Sequence, residues 1–170
     1  MGLAPTTSTT MTLALGDAIA VALLKRASFS SLKFQELHPG GSIGKRLITV
    51  ANLMHSAENM PLVKETARVS DAILEMTAKS FGCVGVVNTD NQLIGIITDG
   101  DLRRNMGENL LALNVTVVMT KSPKQIIQSA LAAEALWIMN ESAITSLFVT
   151  SEGIPCGIIH MHDCLRAEVA

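Results

Sequence analysis

Two tetrapeptides concentrate the reactive side chains of this 170-residue chain: Thr98-Asp99-Gly100-Asp101 and His160-Met161-His162-Asp163. Each is followed three residues on by an arginine, Arg104 or Arg166, so a hydroxyl or imidazole, a carboxylate and a guanidinium share one short segment. That set suits phosphate, carboxylate or sugar hydroxyls, held through charge-assisted hydrogen bonds. Thr98, Asp101, Arg103 and Arg104 are the candidate ligand contacts of the first segment, and His160, His162, Asp163 and Arg166 those of the second. Alternating imidazoles beside a carboxylate also suit zinc. No third ligand cluster accompanies them in the sequence, so neither a metal nor a resident cofactor is expected. Asp99 and Asp101 have a plainer use too, as caps of a following helix.

Two further segments invite a phosphate. His38-Pro-Gly-Gly-Ser-Ile-Gly-Lys-Arg46 resembles a phosphate loop, but only three residues separate Gly40 from Gly44, and Arg46 stands where the Walker pattern requires Ser or Thr. It reads as a cationic turn with a histidine at its head. Thr7, Ser8, Thr9 and Thr10 precede an apolar stretch from about Met11 to Lys25. Their hydroxyls could cap that helix or hydrogen-bond a sugar phosphate at its N-terminus.

The elements that position the two tetrapeptides occur twice. GIITDGDLRR at Gly95–Arg104 aligns with GIIHMHDCLRA at Gly157–Ala167 as G-I-I-x-x-x-D-x-x-R, and VSDAILEM at Val69–Met76 lies over AAEALWIM at Ala132–Met139. Met54-His55, which opens the first unit, corresponds to Met119-Thr120. Within each unit a helical period gives way to two strands. Ser70 is placed to cap a helix with Ile73, Leu74, Met76 and Thr77 on one face, repeated by Ala135, Leu136, Ile138 and Met139. CVGVV turns through Asn88–Asn91 into LIGIIT, and SLFVT turns through Glu152-Gly153 into CGIIH. A short helix then starts near Asp99 or Met161. One unit of about 60 residues is too small to bury its sheet alone, so two are expected to pack sheet to sheet.

This duplicated unit resembles a tandem cystathionine-β-synthase (CBS) domain pair, a mixed α/β architecture with two-fold pseudosymmetry. The likeness covers residues 48–170, divided as 48–108 and 109–170. In CBS pairs the clefts commonly take nucleotides, the Thr of T-x-x-D meeting phosphate and the Asp meeting ribose hydroxyls. That implies roles for Thr98 and Asp101; the second unit keeps Asp163 but has His160 in place of the threonine. Residues 1–47, with APTTSTTMTLALGDA followed by HPGGSIGKRL, resemble the end of the α/β sugar isomerase (SIS) domain of arabinose-5-phosphate isomerases. The resemblance implies an active-site role for His38, whose Lys and Glu partners in the family lie upstream of Met1. It also implies the conversion of D-ribulose 5-phosphate to D-arabinose 5-phosphate for 3-deoxy-D-manno-octulosonate (Kdo) and lipopolysaccharide synthesis. The chain alone is expected to be inactive. A free-standing CBS pair used for ligand binding or dimerisation is the alternative.

Composition narrows the partners. A formal net charge of −2 and 3% aromatic residues offer neither a basic field nor stacking platforms, so nucleic acid is not expected. Cys83, Cys156 and Cys164 form no C-x-x-C pair, which suits a reducing cytoplasm. No uninterrupted apolar run approaches the roughly 20 residues of a membrane helix. The expected partners are a small-molecule nucleotide or nucleotide sugar and further copies of the chain, as a homodimer or homotetramer.

Overall fold

The computed structural model describes residues 5–29, 33, 45 and 47–169. It divides into two compact units, Met1–Gly44 and Lys45–Ala170. His38 and most of the loop around it lie outside the described residues.

In the first unit, α1 (Thr7–Arg26) begins four residues earlier than the apolar pattern predicts. The hydroxyl residues lie inside its first turns rather than ahead of it. Thr9 Oγ1 donates to the carbonyls of Pro5 and Thr6, at 2.9 and 2.8 Å, and Thr10 Oγ1 donates to that of Thr6. These side chains turn back onto the helix, and none caps it, because a hydroxyl one turn in reaches a carbonyl more easily than an N-terminal N–H. With 20 residues and a mean hydropathy of 1.4, α1 is long and apolar enough to cross a membrane by length and composition. Counting uninterrupted apolar residues misses this, since threonines, Gly16 and Asp17 break the run without making the helix hydrophilic.

The second unit holds two similar layers. In the first repeat α2 (Val50–Leu53) leads to β1 (Leu62–Lys64), α3 (Val69–Lys79), β2 (Cys83–Val87), β3 (Leu93–Thr98) and α4 (Asp99–Arg104). The second follows the same order with one added strand, β4, where the first has only the isolated bridge of His55: α5 (Val115–Val118), β4 (Thr120–Lys121), β5 (Gln125–Ile126), α6 (Ala132–Glu141), β6 (Ser146–Ser151), β7 (Ile154–His160) and α7 (Met161–Arg166). The hairpins match in detail. Antiparallel β2–β3 and β6–β7 each carry a register shift, at Val86/Val87 and Val149/Thr150. The first turn closes on Asn88 Oδ1, which accepts from the Asp90 and Gln92 amides; the second uses Gly153 at φ +83°.

Helix α3 starts at Val69, not after Ser70. Asp71 reaches back instead, accepting from the Arg68 amide at 3.2 Å. Its buried stripe is Val69, Ala72 and Met76, with Ile73 beside it, whereas Leu74 is 70% exposed and Thr77 is exposed as well. Helix α6 buries Ala132, Ala135, Leu136 and Met139, and at the position equivalent to Leu74 it exposes Trp137.

The leading segments cross over between repeats. Strand β4, at the head of the second repeat, pairs with β3 of the first, and Val115 and Val118 of α5 enter the first core with Val69, Val84 and Ile97. Reciprocally, His55 exchanges two backbone hydrogen bonds with Ile158 on β7, and Val50 of α2 enters the second core with Leu147 and Ile159. Each folded layer therefore takes its first segment from the other repeat. A third cluster, Cys83, Val87, Leu93, Phe148 and Ile158, fills the space between the sheets. Phe148 presses over Gly85, the equivalent position of the other repeat, where an added Cβ would lie 2.8 Å from the ring. Without a side chain on β2 there, the larger ring of β6 has room.

Candidate functional site: two strand-to-helix clefts

Both tetrapeptides sit where the second strand of a hairpin, β3 or β7, ends and a short helix begins, and both are organised by the carboxylate at the third helical position. Asp101 is only 4% exposed. Its Oδ2 accepts from the Thr98 amide at 2.8 Å and from Thr98 Oγ1 at 2.6 Å. Its Oδ1 accepts from Arg104 Nη2 at 2.5 Å and from Thr120 Oγ1 at 2.9 Å. Four donors occupy the lone-pair directions of one carboxylate. Burial pushes the acid up, but these hydrogen bonds together outweigh it and hold Asp101 below its ordinary value. A ligand hydroxyl reaching Asp101 has to replace one of the four donors, so the residue positions Thr98 and Arg104 before it touches anything else.

Around this frame opens a cleft of about 600 Å³. Thr98, Gly100, Asp101 and Arg104 of the junction line it together with Cys83, Ile96, Ser122, Lys124 and Ala143–Ser146. Arg104 and Lys124 bring two cations to its lining, the hydroxyls of Thr98, Thr120, Ser122, Thr145 and Ser146 bring donors, and Ile96 and Ile144 offer an apolar face. Such a surface fits an anionic ligand with an apolar or aromatic part. Cys83 is no nucleophile here, because burial pushes its thiol up to about 12. Arg103 is exposed and is not part of the lining.

The second junction repeats the frame and changes what surrounds it. Asp163 Oδ2 accepts from the His160 amide at 3.0 Å and meets His55 Nε2 at 3.1 Å, while Oδ1 accepts from Arg166 Nη2 at 2.6 Å. Burial pushes Asp163 up, and the contacts from His160, Arg166 and His55 bring it below its ordinary value. His160 Nδ1 accepts from the His162 amide at 3.1 Å, so an imidazole caps α7. Burial first, then the neighbouring His162, lowers the pKa of His160 from 6.5. Among the described residues, no group of three or more His, Cys, Asp or Glu side chains is disposed to hold a metal ion.

Thr98, Asp101 and Arg104 are brought together as their spacing suggests, and His160, His162, Asp163 and Arg166 likewise. Thr120, Ser122, Lys124 and the Ala143–Ser146 loop were not legible as site residues, nor was His55. The alignment of Met54-His55 with Met119-Thr120 was the available signal: in each repeat the residue after that methionine bonds the aspartate of the other.

Comparison with known proteins follows this geometry. The CBS domain family profile matches residues 50–108 and 115–170. The chain is 46% identical over 173 residues to arabinose 5-phosphate isomerase KdsD of Escherichia coli (strain K12), an alignment covering 99% of this chain and 52% of that protein. It thus spans about half the length of this relative. Among solved structures, CBSX2 in complex with AMP superposes with a TM-score of 0.61 at 24% identity, covering 72% of this chain and 96% of that one. The CBS-domain protein ATU1752 from Agrobacterium tumefaciens gives 0.63 at 23%, covering 72% and 94%. The duplicated strand-to-helix junctions, the two family matches and the superpositions agree, and the chain belongs to the CBS domain family as a tandem pair.

Proposed function

We propose that this chain is the ligand-sensing portion of a D-arabinose 5-phosphate isomerase acting in Kdo and lipopolysaccharide synthesis, and that the cleft at Thr98 and Asp101 takes a nucleotide-type regulator, CMP-Kdo foremost. The observation that carries this reading is the likeness to KdsD, which extends across 99% of the chain and so includes residues outside both CBS matches. On this reading α1 is a packing helix of the isomerase domain, and His38 belongs to its active site. The protein works in the cytoplasm as a homodimer or homotetramer.

Arg104 and Lys124 are suited to a phosphate and a carboxylate together, which CMP-Kdo carries and AMP does not. Titration calorimetry with AMP, ATP, CMP and CMP-Kdo tests the assignment. CMP-Kdo is expected to bind tightest, and Arg104→Ala to weaken it by about 1.5–3 kcal/mol. Tighter binding of AMP, or an Arg104→Ala protein that binds CMP-Kdo normally, refutes it.

A further inference from the structure

Superposing one repeat on the other in sequence pairs Thr98 with His160, Gly100 with His162, Thr120 with His55 and Ile144 with Phe81. At all four positions the first cleft carries a non-aromatic side chain or none, and the second carries a ring. The rings form a continuous row. His55 meets Phe81 edge-on with centroids 5.2 Å apart, Phe81 lies 6.5 Å from His160, and His160 meets His162 edge-on at 4.8 Å.

The row is anchored at Phe81 and at His55. Phe81 packs against the cluster of Cys83, Val87, Leu93, Phe148 and Ile158 between the sheets, and its carbonyl accepts from Ser146 Oγ at 3.3 Å. His55 is held through its backbone by Ile158 and through its ring by Asp163. The first cleft has none of these rings, and its equivalent positions line open space.

We infer that Phe81, His55 and His160 occupy the second cleft themselves, so that each chain takes one ligand at the Thr98 cleft and none at the His160 cleft. A CBS pair with two intact junctions is thereby made a single-site receptor. These residues act as specificity determinants by exclusion: the frame of Asp163 and Arg166 is complete, and what it lacks is room. The inference rests on the nucleotide-type reading of the first cleft only for its stoichiometry, because the filling of the second concerns this chain's own side chains.

The test has two arms on the full chain. Without nucleotide, nuclear Overhauser contacts should connect the Phe81 ring protons with imidazole protons of both His55 and His160; their absence overturns the inference, whatever the first cleft binds. With CMP-Kdo as probe, equilibrium dialysis should give one equivalent per chain. The variant His55→Thr/Phe81→Ile/His160→Thr, which transplants residues already tolerated at the first junction, should give two. The second should be weaker, since no basic residue between Ser56 and Pro61 stands in for Lys124. Two equivalents on the unmodified chain, or one on a variant whose amide spectrum shows it folded, also overturns the inference. Contacts present with no binding by either protein uphold the filled cleft and count against the nucleotide reading instead.

Discussion

At the Thr98 junction a buried aspartate gathers an amide, a hydroxyl, a guanidinium and a second hydroxyl from across the repeat boundary, and beside it lies a cleft of about 600 Å³. At the His160 junction another buried aspartate gathers an amide, an imidazole from across the boundary and a guanidinium, and beside it stands a row of rings. The frames agree and the spaces do not. Asp101 and Asp163 are thus first of all the fasteners of a strand-to-helix turn and of an exchanged segment, a task that is the same whether or not a ligand arrives. If the inference of a single ligand site holds, the side chains around the carboxylate decide which junction takes a ligand, and a T-x-x-D or H-x-x-D pattern alone does not report them.

The largest expected effect tests whether the frames are equivalent. Asp101→Ala and Asp163→Ala should each destabilise the chain by about 2–3 kcal/mol, because each strands several part-buried donors. Urea unfolding measures both; a cost at Asp163 below about 1 kcal/mol would mean that the second frame is only an echo of the first.

Next comes the contrast between β2 and β6. Gly85→Ala should cost about 1–3 kcal/mol, since its Cβ would fall within 3 Å of Phe148, Leu62 and Leu93 in a filled layer. Pairing it with Phe148→Leu should recover part of that loss, and if it recovers nothing the two positions are not complementary.

Acid should separate the clefts further. With its pKa lowered from 6.5, His160 takes up a proton more readily in the unfolded chain, so the stability it contributes is complete above pH 6.5 and is lost as pH falls toward its folded value. The groups facing it are His55, His162, Asp163 and Arg166. His160→Thr should flatten this limb of the pH–stability curve. A second loss, from Asp101 and Asp163 together, should begin near their ordinary value of 3.8 and deepen below it. An unchanged upper limb in the His160→Thr protein would place the titration elsewhere.

The smallest effect concerns Leu74 and Trp137, equivalent and exposed on α3 and α6. Leu74→Ser and Trp137→Ser should change unfolding stability by no more than about 0.5 kcal/mol. If copies of the chain associate through these helices, the same changes should weaken assembly in sedimentation runs while leaving the fold intact.

Much of this was readable along the chain. The repeat, the two hairpins and the mixed α/β class follow from alternation and turn residues within windows of ten or so residues, and the hairpins appear in the structure where those signals put them. Thr98, Asp101 and Arg104 follow one another at intervals of three along the first two turns of one short helix, so their meeting is a local fact as well. The face of α3 was misread because Leu74 and Thr77 fit a helical stripe by hydropathy alone, whereas Val69 and Ala72 are the residues the sheet covers. Ser70 looked like a cap because a hydroxyl stood at a plausible start; the Asp71 carboxylate does that work by reaching back.

What the sequence by itself determined is the duplicated frame: strand, turn, strand, then a helix opened by an aspartate at its third position. These depend on dihedral preference, side-chain period and hydrogen bonds over three or four residues, all local quantities. Only the tertiary structure decided which repeat each leading segment serves, and therefore that Thr120 bonds Asp101 and His55 bonds Asp163 across 19 and 108 residues. It likewise decided that Phe81 lies between two imidazoles while Ile144 lines a cleft. Such contacts depend on which surfaces are buried together once the sheets pack, and no local pattern encodes a distance between residues the chain holds so far apart.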